Sequence, residues 1–276
     1  MFRYEFMVIA FVICILLGFV FPIVGAPSVY KRLSSSGDAL AHSALAGVAI
    51  GLVAGFSPLW ASIVSCCVAF LLINLLRRKF GKFAEIGVVV ILAAAVAVAG
   101  ILSGYASAAN FDSYLFGSIL LVTRTELYVV IVLTACVLLF GFFTYLPMMH
   151  SLYNESEAKL NKIPVGIIDI IHSLLFALTV AIGAKVVGSL VVTSMLVLPV
   201  ASALLLRRGY LFTTVLSLMF SLGSMIGGFF LSNALDWKPG ATSVGLAVAL
   251  LLLVLMYRGI VYLAYRQKKK KDARPS

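Results

Sequence analysis

The sequence predicts an all-α fold: a polytopic bundle of about nine transmembrane helices in a single domain. Hydrophobic residues make up 63% of the 276 residues, charged residues only 11%, and the mean hydropathy is +1.14. Such a chain has too little polar surface to cover a soluble globule. Apolar stretches of ~20 residues, the length that a helix needs to cross the hydrocarbon core, recur along the chain. The alternating polar and apolar residues of outer-membrane β-strands are absent.

Nine apolar stretches are each predicted to cross the membrane. They cover roughly residues 5–26, 37–56, 58–76, 85–103, 127–146, 165–183, 186–206, 211–231 and 242–264. We expect the first to be retained, because Lys31 and Arg32 follow it and no small-x-small cleavage site does. A further apolar segment, residues 110–122, is too short to cross and is predicted to be a re-entrant or interfacial helix.

The placement of the basic residues predicts the orientation of the bundle. A net charge of +11 is compatible with nucleic-acid binding, but the basic residues cluster between spans and in a tail of residues 265–276, which argues against that partner. The positive-inside rule assigns these clusters, and with them the C-terminus, to the cytoplasm. The tail is interpreted as a solvated, lipid-facing run. The clusters are Arg77, Arg78, Lys79 and Lys82; Arg207 and Arg208; and Lys268, Lys269, Lys270, Lys271 and Arg274.

Several chemistries are excluded by missing motifs. No Gly-x-x-x-x-Gly-Lys-Ser/Thr loop is present, so the chain is not predicted to be an ATPase, and any ATP hydrolysis requires a separate subunit. Neither His-Glu-x-x-His nor Gly-x-Ser-x-Gly occurs in a span, as an intramembrane hydrolase would require. The four cysteines lie in apolar runs without Cys-x-x-Cys spacing and are interpreted as small core residues: Cys14, Cys66, Cys67 and Cys136.

Asp38 and His42 form the strongest candidate site. They are four residues apart, so they share one face of the second predicted span. Ionisable groups at membrane depth are costly and usually functional, and a carboxylate with an imidazole suits zinc, manganese or iron. Two ligands do not complete a zinc site, but a two-fold homodimer would supply the pair twice. The alternatives are an internal ion pair, or a helix cap at Asp38.

Small residues occupy the opposite face of the same span. Gly47, Gly51 and Gly55 recur every four residues, a spacing that lets two membrane helices approach closely. A second polar pair, Asp169 and His172, is predicted to be hydrogen-bonded at the cytoplasmic interface rather than to bind metal.

The segment from about residue 147 to 164 is predicted to be a cytoplasmic loop that contains a short helix between two prolines. Connections between bundle helices usually have only ~2–8 residues. The extra length favours a protein partner, although a plain connector is the alternative.

Three segments resemble the membrane permease of bacterial ABC importers for zinc, manganese or iron: residues 30–47, 113–117 and 185–202. The resemblance implies a homodimer in the bacterial cytoplasmic (inner) membrane, with two ATP-binding subunits on its cytoplasmic loops and an extracytoplasmic protein that delivers the metal. It also implies that Asp38 and His42 contact the transported Zn²⁺, Mn²⁺ or Fe²⁺, and that no cofactor is permanently bound. The sequence Asp-Ala-Leu-Ala-His-Ser resembles the zinc members of this family more closely than the manganese members.

The loop around residue 154 resembles the family's ATPase-coupling segment, with Asn154, Glu155, Glu157 and Ala158 as the corresponding residues. It departs from the family pattern, because Asn154 stands at the acidic position and no glycine follows. Two other functions stay open: a proton-coupled secondary metal transporter, and an intramembrane enzyme that uses Asp38 and His42 in acid-base chemistry.

Overall fold

A computed structural model describes residues 5–105, 122–206 and 209–272. The described residues form ten α-helices, a 3₁₀ turn at Gly81–Phe83 and no strand, which confirms the predicted all-α class. The helices are α1 Glu5–Tyr30, α2 Ser34–Ala54, α3 Pro58–Phe80, α4 Ala84–Ser103, α5 Arg124–Tyr153, α6 Glu155–Leu160, α7 Val165–Val186, α8 Ser189–Leu204, α9 Tyr210–Leu235 and α10 Pro239–Asp272.

Each predicted span corresponds to one helix, and eight of these helices are long and apolar enough to cross a membrane. The ninth, α8, is shorter than predicted. Its 16 residues span ~24 Å, less than the ~30 Å hydrocarbon core. The physical reason is that α7 continues to Val186 and Gly188, with φ of 108°, turns the chain before α8 begins. The predicted re-entrant segment falls almost entirely outside the described residues.

Three ion pairs agree with the predicted alternation of the spans. Glu5 at the start of α1 pairs with Arg124 at the start of α5, and Lys185 at the end of α7 pairs with Glu126. All four lie at helix ends that the charge pattern assigns to the outer side. The third pair, Lys31 with Asp169, joins the end of α1 to the start of α7 at the opposite side.

The core is built around α1, which packs against α5, α7, α8 and α9. Its side chains include Ile13, Leu17 and Phe21, all with 0% exposure. A second group of contacts surrounds α2, which lies against α3, α4, α7 and α8. In contrast, α10 lies at the periphery, and the apolar residues along it are largely exposed, as expected for a helix that faces lipid.

The small-residue face of α2 packs closely against α3, as predicted. A Cβ atom at Gly47 would lie 2.6 Å from the carbonyl oxygen of Ala61 and 2.6 Å from Cβ of Ser65. At Gly51 it would lie 3.0 Å from Cβ of Ala61. Gly55 has a different role, because it ends α2 with a φ of 74° and a Cβ there would contact nothing.

Replacing Gly47 with alanine is expected to destabilise the chain by about 1–3 kcal/mol, since the added methyl group must push α3 away. The measurement is the thermal unfolding midpoint of the purified protein in detergent. Gly100→Ala is the matched control, because a Cβ at Gly100 of α4 has nothing within 4 Å. Equal midpoints for the two variants would contradict the close approach of α2 to α3.

Candidate metal site and coupling segment

Asp38 and His42 lie on the only open face of the first half of α2. From Ser36 to Ala49 every residue is buried, except that Asp38 is exposed and His42 is partly exposed. The remaining faces of the helix are covered by α3, α4, α7 and α8. The two candidate ligands are therefore one turn apart on a strip of helix that the described part of the chain leaves uncovered.

The two structural alternatives for this pair do not hold in the described part of the chain. α2 begins at Ser34 with Leu33 as its N-cap, so Asp38 lies in the second turn and is not a helix cap. Neither Asp38 nor His42 has a hydrogen-bond or ion-pair partner among the described residues. Both side chains remain available to a ligand or to a second protein chain.

The described residues of one chain do not complete a metal site around this pair. Among the described residues, no group of three or more His, Cys, Asp and Glu side chains could hold an ion. Zinc sites with protein ligands are usually four-coordinate. A carboxylate and an imidazole at membrane depth are also too costly to face hydrocarbon, so this face of α2 requires a polar cover.

Hydrogen bonds from α3 fix the backbone of α2 next to the pair. Cys66 Sγ donates to the carbonyl oxygen of Leu40 over 3.1 Å, and Ser65 Oγ donates to that of Ser43 over 2.7 Å. From the sequence, Cys66 is predicted only to be a small core residue, and no pattern singles out Ser65. The available signal was the position of this thiol and this hydroxyl on α3, the helix that follows the glycine face of α2.

Asp169 and His172 are not bonded to each other, so the predicted pair is wrong. Asp169 forms an ion pair with Lys31. His172 is 2% exposed, and its Nε2 lies 3.2 Å from the carbonyl oxygen of Val24. The two residues are one turn apart and face α1, where each finds its own partner. The packing of α7 on α1 determines which partner each residue has.

The predicted coupling loop contains the short helix α6, as expected, but it begins later than residue 147. Helix α5 continues through Pro147 to Tyr153, a continuation that membrane helices tolerate. His150 is exposed and lies in the last turn of α5.

Asn154 has a local structural role. It ends α5, and its Oδ1 accepts a hydrogen bond from the backbone N–H of Glu157 over 3.3 Å, as an N-cap of α6 does. Since Asn and Asp cap helices equally well, the amide preserves the geometry that an acidic residue would give. Ala158 is 1% exposed, whereas Glu157 is exposed and Leu160 is 82% exposed. Glu155 is the first residue of the helix. α6 thus buries one small residue and presents an acidic and an apolar residue outward.

Comparison with known proteins gives one consistent result. The sequence model of the ABC 3 transport family matches residues 3–258. A probable metal transport system membrane protein of Treponema pallidum is 33% identical, with 92% of this chain and 96% of that protein aligned. The manganese transport system membrane protein MntC of Halalkalibacterium halodurans is 27% identical over 98% and 94% of the two chains.

A zinc relative is equally similar: the high-affinity zinc uptake system membrane protein ZnuB of Haemophilus influenzae is 27% identical over 88% and 96% of the two chains. Among solved structures, PsaBC from Streptococcus pneumoniae in complex with Fab superposes with a TM-score of 0.81 and 24% identity, covering 91% of each chain. At that identity the superposition supports the fold.

Proposed function

Because the chain belongs to the ABC 3 transport family, which its match over residues 3–258 shows, we propose that it is the permease of an ATP-driven importer of a divalent transition metal. Zinc is the first candidate for the ion, and manganese or iron is the alternative. The observation that carries the proposal is the open face of α2 with Asp38 and His42. No other face of this helix is accessible between Ser36 and Ala49.

Two protomers would complete the site. A two-fold axis beside the open face of α2 places the same pair from each chain around one ion, giving four ligands. It also removes the carboxylate and the imidazole from contact with lipid. The ligands hold a partly dehydrated ion only transiently, because transport requires that the ion also be released.

Energy for transport would come from two ATP-binding subunits docked at the cytoplasmic side. This chain has no phosphate-binding loop of its own, and α6 presents Glu157 and Leu160 outward at the segment that resembles the family's coupling region. An extracytoplasmic metal-binding protein would deliver the ion. The proposed location is the bacterial cytoplasmic membrane, and the clustering of basic residues between spans and in the tail supports an orientation with the C-terminus inside.

The choice of zinc rests on the amino-acid sequence around the site. The segment Asp-Ala-Leu-Ala-His-Ser is closer to zinc members of the family than to manganese members. Relatives named for zinc and for manganese are equally distant, both at 27% identity, so overall similarity does not favour either ion.

Elemental analysis of metal-depleted cells that express the full complex tests this choice. We expect zinc to accumulate on re-addition of an equimolar mixture of zinc, manganese and iron salts. Cells expressing the ATPase without this chain are the control. Accumulation of manganese or iron in place of zinc would refute the assigned ion, and no response of any metal would refute metal import.

A further inference from the structure

We propose that the Lys31–Asp169 ion pair transmits movement from the ATPase-docking helix α6 to the metal-contacting helix α2. This inference rests on the proposed function. In this role Lys31 and Asp169 are positioning residues, since neither contacts the ion. Three connections, along the chain and through space, link α6 to α2.

The first connection joins α6 rigidly to α7. Only residues 161–164 separate the two helices, and this linker is held by backbone hydrogen bonds. Asn161 N–H donates to the Glu157 carbonyl over 3.0 Å, and Ile163 N–H donates to the Ala158 carbonyl over 3.1 Å. Ala158 of α6 is also buried. We therefore expect α6 to move together with the start of α7, where Asp169 lies in the second turn.

The second connection joins α7 to the end of α1. The Asp169 carboxylate forms an ion pair with the ammonium group of Lys31, the residue directly after α1. One turn further along α7, the buried His172 contacts the carbonyl oxygen of Val24 at 3.2 Å, and Ser28 Oγ donates to the same oxygen over 2.8 Å. α7 therefore contacts this region at two points: Val24 in the last two turns of α1 and Lys31 directly after the helix.

The third connection runs from Lys31 into α2. The turn between α1 and α2 comprises only residues 31–33. It is fixed by hydrogen bonds from Leu33 N–H to the Ser28 carbonyl over 2.8 Å and from Gly37 N–H to the Leu33 carbonyl over 3.3 Å. Asp38 follows Gly37 directly. A displacement of α6 thus reaches the candidate metal ligands through short, hydrogen-bonded segments.

The partial exposure of the Lys31–Asp169 pair allows its effect on the transmission of movement to be measured separately from its effect on folding. The side chain of Lys31 is 20% exposed and that of Asp169 is 41% exposed. Ion pairs in partly solvated positions contribute little to stability. Breaking this pair is therefore expected to leave the bundle folded while it loosens the contact between α7 and the turn that leads into α2.

The test uses the permease–ATPase complex reconstituted in proteoliposomes, with the metal-binding protein supplied on the side opposite the ATPase, and zinc uptake and ATP hydrolysis are measured together. For Asp169→Asn and Lys31→Met, we expect zinc uptake per ATP hydrolysed to fall by roughly 2- to 30-fold, at unchanged complex yield and ATPase rate. The charge-swapped variant Lys31→Asp/Asp169→Lys should recover part of the loss. Glu5→Gln is the matched control, because it breaks an exposed ion pair at the opposite side of the membrane.

Unchanged uptake per ATP in both single variants would overturn the inference. A parallel fall of complex yield, ATPase rate and uptake would also overturn it, because that pattern shows a purely structural role. Failure of the proposed function has a different signature: the wild-type complex would hydrolyse ATP without moving zinc, manganese or iron.

Discussion

Replacing either Asp38 or His42 with alanine is expected to reduce metal accumulation to the level of cells that lack the chain. Each substitution removes one ligand type from both protomers at once, so two of the four proposed ligands are lost. Because Asp38 is exposed and His42 is partly exposed in the chain, neither truncation leaves a cavity in the core. The free energy of unfolding should change by less than about 0.5 kcal/mol.

The measurement is cellular zinc by elemental analysis, normalised to the amount of the chain in the membrane. Ser35→Ala is the matched control. Ser35 is exposed on the same helix one turn before Asp38, and its side chain carries neither a carboxylate nor an imidazole. Wild-type accumulation in the Asp38→Ala/His42→Ala double variant would show that the open face of α2 does not carry the ion.

Replacing Glu126 with glutamine is expected to lower the free energy of unfolding by about 3–5 kcal/mol, because the Lys185 ammonium loses its buried counter-charge. The two side chains are only 6% and 13% exposed. Glutamine preserves the other role of this residue: Glu126 Oε2 accepts a hydrogen bond from the Thr123 backbone N–H over 2.9 Å in the capping box that begins α5. The substitution therefore isolates the effect of the charge.

Thermal or denaturant unfolding of the purified protein measures this loss. The second substitution in Glu126→Gln/Lys185→Met should restore most of the stability, because it removes the uncompensated charge. Glu5→Gln should cost less than about 1 kcal/mol, since the Glu5–Arg124 pair is exposed at 64% and 72%. Equal losses for Glu126→Gln and Glu5→Gln would contradict the burial of the Lys185 pair.

The architecture was predictable from the sequence because the bilayer imposes a simple constraint. A helix must satisfy its backbone internally and be ~20 residues long, so apolar length alone identified the spans. Helix ends were less predictable, because they depend on local backbone bonding. The sequence predicts a boundary at Pro147, which lies inside α5, and the positive φ of Gly188 shortens α8.

The candidate site was predictable only in part. Spacing placed Asp38 and His42 on one face of a helix, but the openness of that face follows from how α3, α4, α7 and α8 pack around α2. Packing also decided the partners of Asp169 and His172: Asp169 pairs with Lys31 directly after α1, and His172 contacts Val24 of α1. Contacts between residues far apart in the sequence, such as Lys31 and Asp169, leave no local pattern from which to predict them.

The most direct test of an ATP-driven importer is metal uptake by proteoliposomes that contain the purified permease and its ATPase, with the metal-binding protein supplied on the side opposite the ATPase and without a proton gradient. We expect zinc to enter the wild-type vesicles only during ATP hydrolysis and to stay outside vesicles that carry the Asp38→Ala/His42→Ala variant. Uptake that follows an imposed proton gradient and does not require ATP would contradict this account and favour a secondary transporter.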